Sequence, residues 1–334
     1  MMLPKPYLLF LGDVTGAPNA KTAFGVRDWA AQDVVGQWCL PGGDIDLGLV
    51  ELTARQAVRA GARSLLIGAA PVGGALPATW VEGLVQALEA GLDLVSGLHD
   101  RLGEVPKIRK AADRLGRRLH DVRSSARRYP VASGRKRRGR RLLTVGTDCA
   151  LGKKYAALAI AQAMKARGWD ADFRATGQTG IMIAGDGVAL DAVVADFIAG
   201  AAETLSPDAD ERHWDVIEGQ GALFHPAYAG VTLGLVHGSQ PDALIMCHDP
   251  SRKTLNMYRD YATPPLNLAM DRYLEAARLT NPAAVFVGIS LNTSGLSPKE
   301  ARVMMREIEE AHALPCFDPM ISDLTPLMDR LETL

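Results

Sequence analysis

The stretch Gly146-Thr147-Asp148-Cys149-Ala150-Leu151-Gly152-Lys153 decides how this chain is read. The apolar run Leu142-Leu143-Thr144-Val145 leads into it, and an alanine-rich segment from Lys153 to Arg167 leads out with helical spacing. A strand that opens through a glycine-bounded loop into a helix gathers backbone N–H groups and the positive end of the helix dipole around one concave spot. A lysine at the helix start adds a full charge, which an ordinary strand-to-helix turn does not need. The arrangement suits a diphosphate. Gly146 and Gly152 allow close backbone approach, and with Thr147, Lys153 and Lys154 they form the candidate cofactor-binding set.

The loop departs from the common phosphate-binding form in two ways. Five residues separate its glycines instead of four, and Lys154 stands where a Ser or Thr would hold Mg²⁺. Phosphoryl transfer depends on that metal. A second cation in the hydroxyl position therefore predicts a loop that grips a diphosphate without cleaving it, and no metal is expected.

Outward from the loop, strands and helices alternate. Downstream, Asp172–Ala175, Trp214–Glu218, Ala243–Cys247 and Ala284–Ile289 read as strands, and Val188–Glu203, Pro265–Arg278 and Pro298–Ala313 as helices, with Thr176–Gly180 as a loop. Upstream, Tyr7–Leu11, Ser64–Gly68 and Asp93–Gly97 read as strands, and Leu49–Ala60 and Trp80–Ala90 as helices. Repeated β-α-β order predicts an α/β fold with mostly parallel sheets and right-handed crossovers. Gly12, Gly16 and Gly25 do not make a GxGxxG fingerprint, so nothing marks the first half as a dinucleotide binder.

At 334 residues the chain exceeds what one core usually serves. The expected division is 1–126, a basic linker 127–141, and 142–334. The linker carries Pro130, Ser133, Gly134 and Gly139 among its arginines. It reads either as a nucleic-acid or phosphate-binding patch or as a solvated connector. No aromatic platform accompanies the charges, so the connector is expected. The net charge of −1 supplies no general attraction to nucleic acid or anionic lipid. Cys39, Cys149, Cys247 and Cys316 lie far apart and suggest a reduced compartment. With no secretory pattern and no apolar run of about 18 residues, neither a membrane nor export is expected, and the expected location is the cytoplasm.

The loop resembles that of dethiobiotin synthetase and its relatives. The resemblance sharpens with Ala175-Thr176-Gly177-Gln178-Thr179-Gly180-Ile181-Met182-Ile183-Ala184-Gly185-Asp186-Gly187-Val188 and Val216-Ile217-Glu218-Gly219-Gln220-Gly221-Ala222-Leu223. On these motifs the whole chain is identified as a member of a family of two-domain proteins long described as of unknown function. That resemblance implies a Rossmann-like N-terminal domain and a P-loop NTPase-like C-terminal domain. Members with a lysine pair like Lys153-Lys154 are similar to D-glutamate N-acetyltransferase, which implies acetyl-CoA as co-substrate and a small-molecule acceptor; a homo-oligomer is expected, with no nucleic-acid partner. Coenzyme A carries a diphosphate, so the resemblance and the missing metal hydroxyl agree.

Acetyl transfer to an amine needs a base, because an ammonium has no lone pair. Glu218, ending an apolar strand, is the first candidate; the alternative is a carboxylate that orients Lys153 or a water. Asp148 would repel a phosphate if turned inward, so it is expected to face substrate or a lysine and joins Glu218 as a catalytic candidate. Cys149 reads as an acetyl acceptor or a packing cysteine, and His225 as an acid/base group or a structural one. For substrate carboxylates, Arg174 and Arg252 are the candidate cations, with Gln178 and Thr179 in the loop beside Arg174. Asn292 reads either an adenine edge or a turn. The competing functions are an ATP-dependent ligase or small-molecule kinase of the dethiobiotin synthetase type, and a non-catalytic nucleotide or coenzyme A sensor.

Overall fold

A computed structural model describes residues 2–71, 74–124 and 128–334. The chain forms two units: Met1–Arg127 with Gln178–Ala192, and Arg128–Gly177 with Val193–Leu334. Arg127, the first residue of the expected linker, lies outside the described residues.

The first unit holds a parallel sheet of β1 (Tyr7–Gly12), β2 (Val34–Cys39), β3 (Ser64–Ile67), β4 (Asp93–Ser96) and β5 (Leu119–Asp121), in the order β2-β1-β3-β4-β5. β1 and β3 are buried along their whole length, which is why both are dominated by apolar residues, with Ser64 the one polar residue of β3. The helices are α1 (Lys21–Trp29), α2 (Ala54–Arg59), α3 (Val81–Ala90) and α4 (Pro106–Leu115). α2 begins later than the expected Leu49. Thr53 accepts from the Gln56 N–H and the Gln56 side chain accepts from the Thr53 N–H, a capping box that fixes the start.

A helix from the second half of the sequence, α6 (Gln178–Ala184), packs within this first unit. Thr179 and Thr22 share a hydrogen bond of 2.9 Å, and Tyr7 and Lys5 donate to the carbonyls of Met182 and Ile183. The expected loop Thr176–Gly180 is therefore helical from Gln178 onward.

The second unit holds six parallel strands in the order β13-β12-β9-β6-β8-β7. They are β6 (Arg140–Gly146), β7 (Ala171–Arg174), β8 (Trp214–Ile217), β9 (Ala243–His248), β12 (Val285–Leu291) and β13 (Cys316–Phe317). A separate hairpin joins β10 (Thr254–Leu255) to β11 (Tyr258–Ala262). The helices are α5 (Lys153–Ala166), α7 (Ile198–Leu205), α8 (Ala229–Ser239), α9 (Leu266–Arg278), α10 (Pro298–His312) and α11 (Thr325–Glu332). The chain fills one flank of β6 with β7 and β8, then crosses to the other with β9. The carboxyl end of β6 is thus the point where strand order reverses, the usual ligand crevice of an open α/β sheet. Ala156, Ala157, Ile160 and Met164 of α5 pack on Leu142, Val216 and Ile245, so the small residues of α5 bring it close to the sheet.

Two further expectations fail. The long helix Val188–Glu203 is replaced by short turns at Leu190–Ala192 and Ala195–Phe197 before α7. Val194 is extended (φ −58°, ψ 137°), and the chain leaves the first unit beside it. The basic segment is not uniformly solvated either. Arg141 is 1% exposed, with its guanidinium donating to the carbonyls of Arg137, Gly139, Arg138 and Pro207 and to the Ser206 hydroxyl. Five fixed donors make arginine suited to tying loose carbonyls together. Among the described residues no helix is long and apolar enough to cross a membrane.

Candidate functional site

The loop between β6 and α5 is built from its glycines outward. A Cβ on Gly146 would lie 2.9 Å from Leu151 Cδ1 and 3.2 Å from the carbonyl oxygens of Asp148 and Cys247. Gly152 starts α5 with φ +112°, and no side chain caps the helix there. The first N–H groups of α5, which have no intrahelical acceptor, are left for an anion. Thr147 is buried, donates its N–H to Cys247 O, and shares a 2.9 Å hydrogen bond with His248 Nδ1. Lys153 is 7% exposed and donates to the Asp148 carbonyl at 2.7 Å. Burial lowers its pKa, so a bound anion has a strong claim on this ammonium. Lys154 lies over the Tyr155 ring at 4.9 Å.

Glu218 follows β8 beside this loop and is 4% exposed. One carboxylate oxygen accepts from the N–H groups of Thr176 and Gly177, and the Thr176 hydroxyl donates to the Glu218 carbonyl. Burial raises its pKa, against the charge of Lys154, the two backbone hydrogen bonds and Lys153. A buried carboxylate held above its ordinary range beside two lysines has the properties of a general base. It also anchors the Thr176-Gly177 turn, whereas the Lys153 ammonium donates to the Asp148 carbonyl.

Asp148 and Arg252 meet each other. Asp148 is fully buried; Oδ1 accepts from the Cys149 N–H, and Oδ2 from Arg252 Nη1 at 2.8 Å and the Asn256 N–H at 2.7 Å. Arg252 also donates to the carbonyls of Cys149 and Ala150. It is engaged with the loop and not held out as a substrate clamp. His225 accepts from the Ala227 N–H at Nδ1 and donates to Asn256 O from Nε2, the assignment its two partners require, and it stacks on Tyr228. Ligand atoms of Asp148, Cys149 and His225 lie within 4.8 Å of one another. The Arg252 guanidinium already brings positive charge to that cluster. Burial raises the pKa of Cys149, with Lys153 opposing and Asp148 reinforcing the rise, which favours the packing reading over a thiolate.

Other candidates fall elsewhere. Arg174 pairs with Asp215 of the neighbouring β8 at 2.5 Å and with Asp172 of its own strand at 3.2 Å, so it is engaged with two strand aspartates and not held out as a substrate clamp. Gln178 and Thr179 belong to α6 of the first unit, with Thr179 bonded to Thr22. Asn292 accepts from the N–H and hydroxyl of Ser294, a turn geometry. Sequence reading missed Tyr273, whose hydroxyl donates to Gly146 O and accepts from the Leu223 N–H. It also missed Thr144, which donates to Lys153 O and accepts from the Gly219 N–H. Tyr273 sits inside an amphipathic helix and gives no local signal; Thr144 is a hydroxyl inside the apolar run Leu142–Val145, which was readable.

Comparisons with known proteins bear on the whole chain. Residues 130–328 match a family described as a domain of unknown function (DUF1611_C), P-loop domain, and residues 36–125 its Rossmann-like companion, DUF1611_N. A D-glutamate N-acetyltransferase of Tritonibacter scottomollicae is 51% identical over 330 residues, covering 99% of each chain. Another, from a Pseudoalteromonas species, is 44% identical over 331 residues, covering 99% of this chain and all of the relative. The crystal structure of a DUF1611 family protein from Anabaena variabilis superposes with a TM-score of 0.86 at 32% identity, over 98% of this chain and 100% of that one.

Proposed function

The chain belongs to the DUF1611 family of proteins that join a Rossmann-like domain to a P-loop domain, and from that membership we propose that it is a D-glutamate N-acetyltransferase using acetyl-CoA. The two relatives that carry this name match it end to end. The observation that carries the reading on this chain is Lys154 beside Lys153 at the uncapped start of α5. The pair supplies cationic grip and no hydroxyl for Mg²⁺, which suits a diphosphate that is held and not broken.

In this reading the loop Gly146–Lys153 and Lys154 hold the diphosphate of acetyl-CoA through backbone N–H groups and the two ammoniums. Glu218 accepts the proton from the D-glutamate ammonium. The freed amine adds to the thioester carbonyl, and the tetrahedral intermediate collapses to the amide. Coenzyme A leaves as its thiolate and takes up the proton held by Glu218, while the second proton of the former ammonium passes from the amide nitrogen to solvent, so atoms and charge balance. A cytoplasmic setting, where thiols stay reduced, fits the four free cysteines. The test is thiol release from acetyl-CoA on addition of D-glutamate, L-glutamate or neither. Release that depends on D-glutamate supports the proposal; ATP hydrolysis with no thiol release would instead favour the ligase or kinase reading.

A further inference from the structure

We infer that Arg252 is a positioning residue of the phosphate-binding loop: it neutralises the buried Asp148 carboxylate and ties down the loop carbonyls, so that a loop containing an acidic residue can still accept an anion. The inference rests on the reading of that loop as a diphosphate site. Asp148 lies two residues after Gly146 and is 0% exposed. A carboxylate there, facing the bound anion without a partner, would oppose binding at close range, where the local dielectric is low. Instead its described hydrogen-bond partners are all donors: the Cys149 N–H at 2.7 Å on Oδ1, and Arg252 Nη1 at 2.8 Å and the Asn256 N–H at 2.7 Å on Oδ2.

Arg252 does more than cancel charge. Nη1 also reaches the Cys149 carbonyl at 2.6 Å, and Nη2 the Ala150 carbonyl at 3.2 Å. Two carbonyl oxygens that would repel an anion if they faced it are thereby engaged by a cationic donor. Ala150 has φ +51°, a conformation that non-glycine residues adopt only when their surroundings impose it. The Asn256 peptide completes the arrangement, giving its N–H to Asp148 and accepting His225 Nε2–H at its oxygen. The turn between β10 and β11 is thereby coupled to the loop. Lysine cannot replace the fork, because one ammonium cannot span the carboxylate and both carbonyls in the same geometry.

The experiment is a charge cycle on the full chain with Arg252→Gln, Asp148→Asn and the double variant, with Arg252→Lys beside them. Coenzyme A and inorganic pyrophosphate binding are measured by calorimetry, and kcat and KM for acetyl-CoA by thiol release. Arg252→Gln is expected to weaken both ligands by roughly tenfold or more while kcat changes less than KM. Adding Asp148→Asn to it should recover much of the affinity, because the uncompensated charge is gone; a purely structural arginine predicts no such rescue. Arg252→Lys should fall between wild type and Arg252→Gln, and it serves as the test if Arg252→Gln does not fold. Unchanged pyrophosphate affinity in Arg252→Gln or Arg252→Lys, or a double variant as weak as the single one, overturns the inference. If wild type binds pyrophosphate but not coenzyme A, the acetyltransferase reading fails, and the cycle on pyrophosphate still decides the role of Arg252.

Discussion

Gly219→Ala is the perturbation whose consequence is best fixed by distance. A Cβ at this position would lie 1.7 Å from Thr144 O, 2.8 Å from Thr144 C and 3.0 Å from Lys153 Cδ. Bringing the first contact out to 3.0 Å takes a shift of about 1.3 Å, against the backbone of the central strand. The shift strains the Gly219 N–H bond to Thr144 Oγ1 and, through that hydroxyl, the Thr144 bond to Lys153 O. Leaving buried groups unpaired costs about 1–3 kcal/mol each, so a loss of roughly 2–4 kcal/mol is expected. At about 2–4 °C per kcal/mol for a unit of this size, Tm should fall by roughly 4–16 °C. The residue before Gly219 is Glu218 and the side chain it touches is Lys153, so the geometry of the proposed site moves as well; a displacement near 1 Å costs about 10²-fold in rate. Gly230→Ala is the control, since a Cβ there meets nothing within 4 Å and the position is in a helix; Tm should hold or rise slightly. Differential scanning calorimetry and steady-state acetylation read both effects. A Gly219→Ala protein with wild-type Tm and kcat would refute the packing argument.

Lys153→Ala should raise KM for acetyl-CoA more than it lowers kcat, whereas Glu218→Gln should retain coenzyme A binding and lose roughly 10²–10⁴-fold in kcat; calorimetry beside steady-state rates separates the two. Because burial raises the Glu218 pKa and the base must be ionised, the acid limb of kcat/KM should lie above the ordinary carboxylate range, and a profile still flat well below pH 5 would remove Glu218 from that role. Burial works against the charged form of His213, but its hydrogen bonds to Asp170 and Asp215 outweigh it and raise the pKa. Its contribution to stability is therefore complete below about pH 6.5 and lost as pH rises through the raised value, so His213→Gln should cost more at pH 6 than at pH 9 in urea unfolding, and a larger cost at pH 9 would contradict this. EDTA should leave acetylation intact, because Lys154 replaces the metal-binding hydroxyl; loss of activity restored by Mg²⁺ would count against it.

What the sequence disclosed follows from how local each signal is. β6, α5 and the loop joining them are written in contiguous residues, and so are the buried runs of β1, β3 and β9. β2 went unread because Val34-Val35-Gly36-Gln37-Trp38-Cys39 mixes polar residues into a strand, and Gln37 is buried only because its amide finds Asp46, Glu51 and the Leu47 N–H. The start of α2 was legible in Thr53 and Gln56 but was masked by the apolar residues before them. The site was less legible than the fold. The cationic residues carry no mark of their partners: Arg174 is drawn to Asp215, which lies 41 positions away, and Arg252 to Asp148, 104 away. Such pairings are set by strand order and loop course, which periodicity does not encode.

The central claim is tested most directly by mass spectrometry of the products formed when the purified chain is given isotopically labelled acetyl-CoA with D-glutamate, in parallel with L-glutamate. The account predicts labelled N-acetyl-D-glutamate and free coenzyme A in equal amounts, with far less product from the L-enantiomer. Unlabelled D-glutamate recovered intact, from a protein that binds coenzyme A, would contradict it.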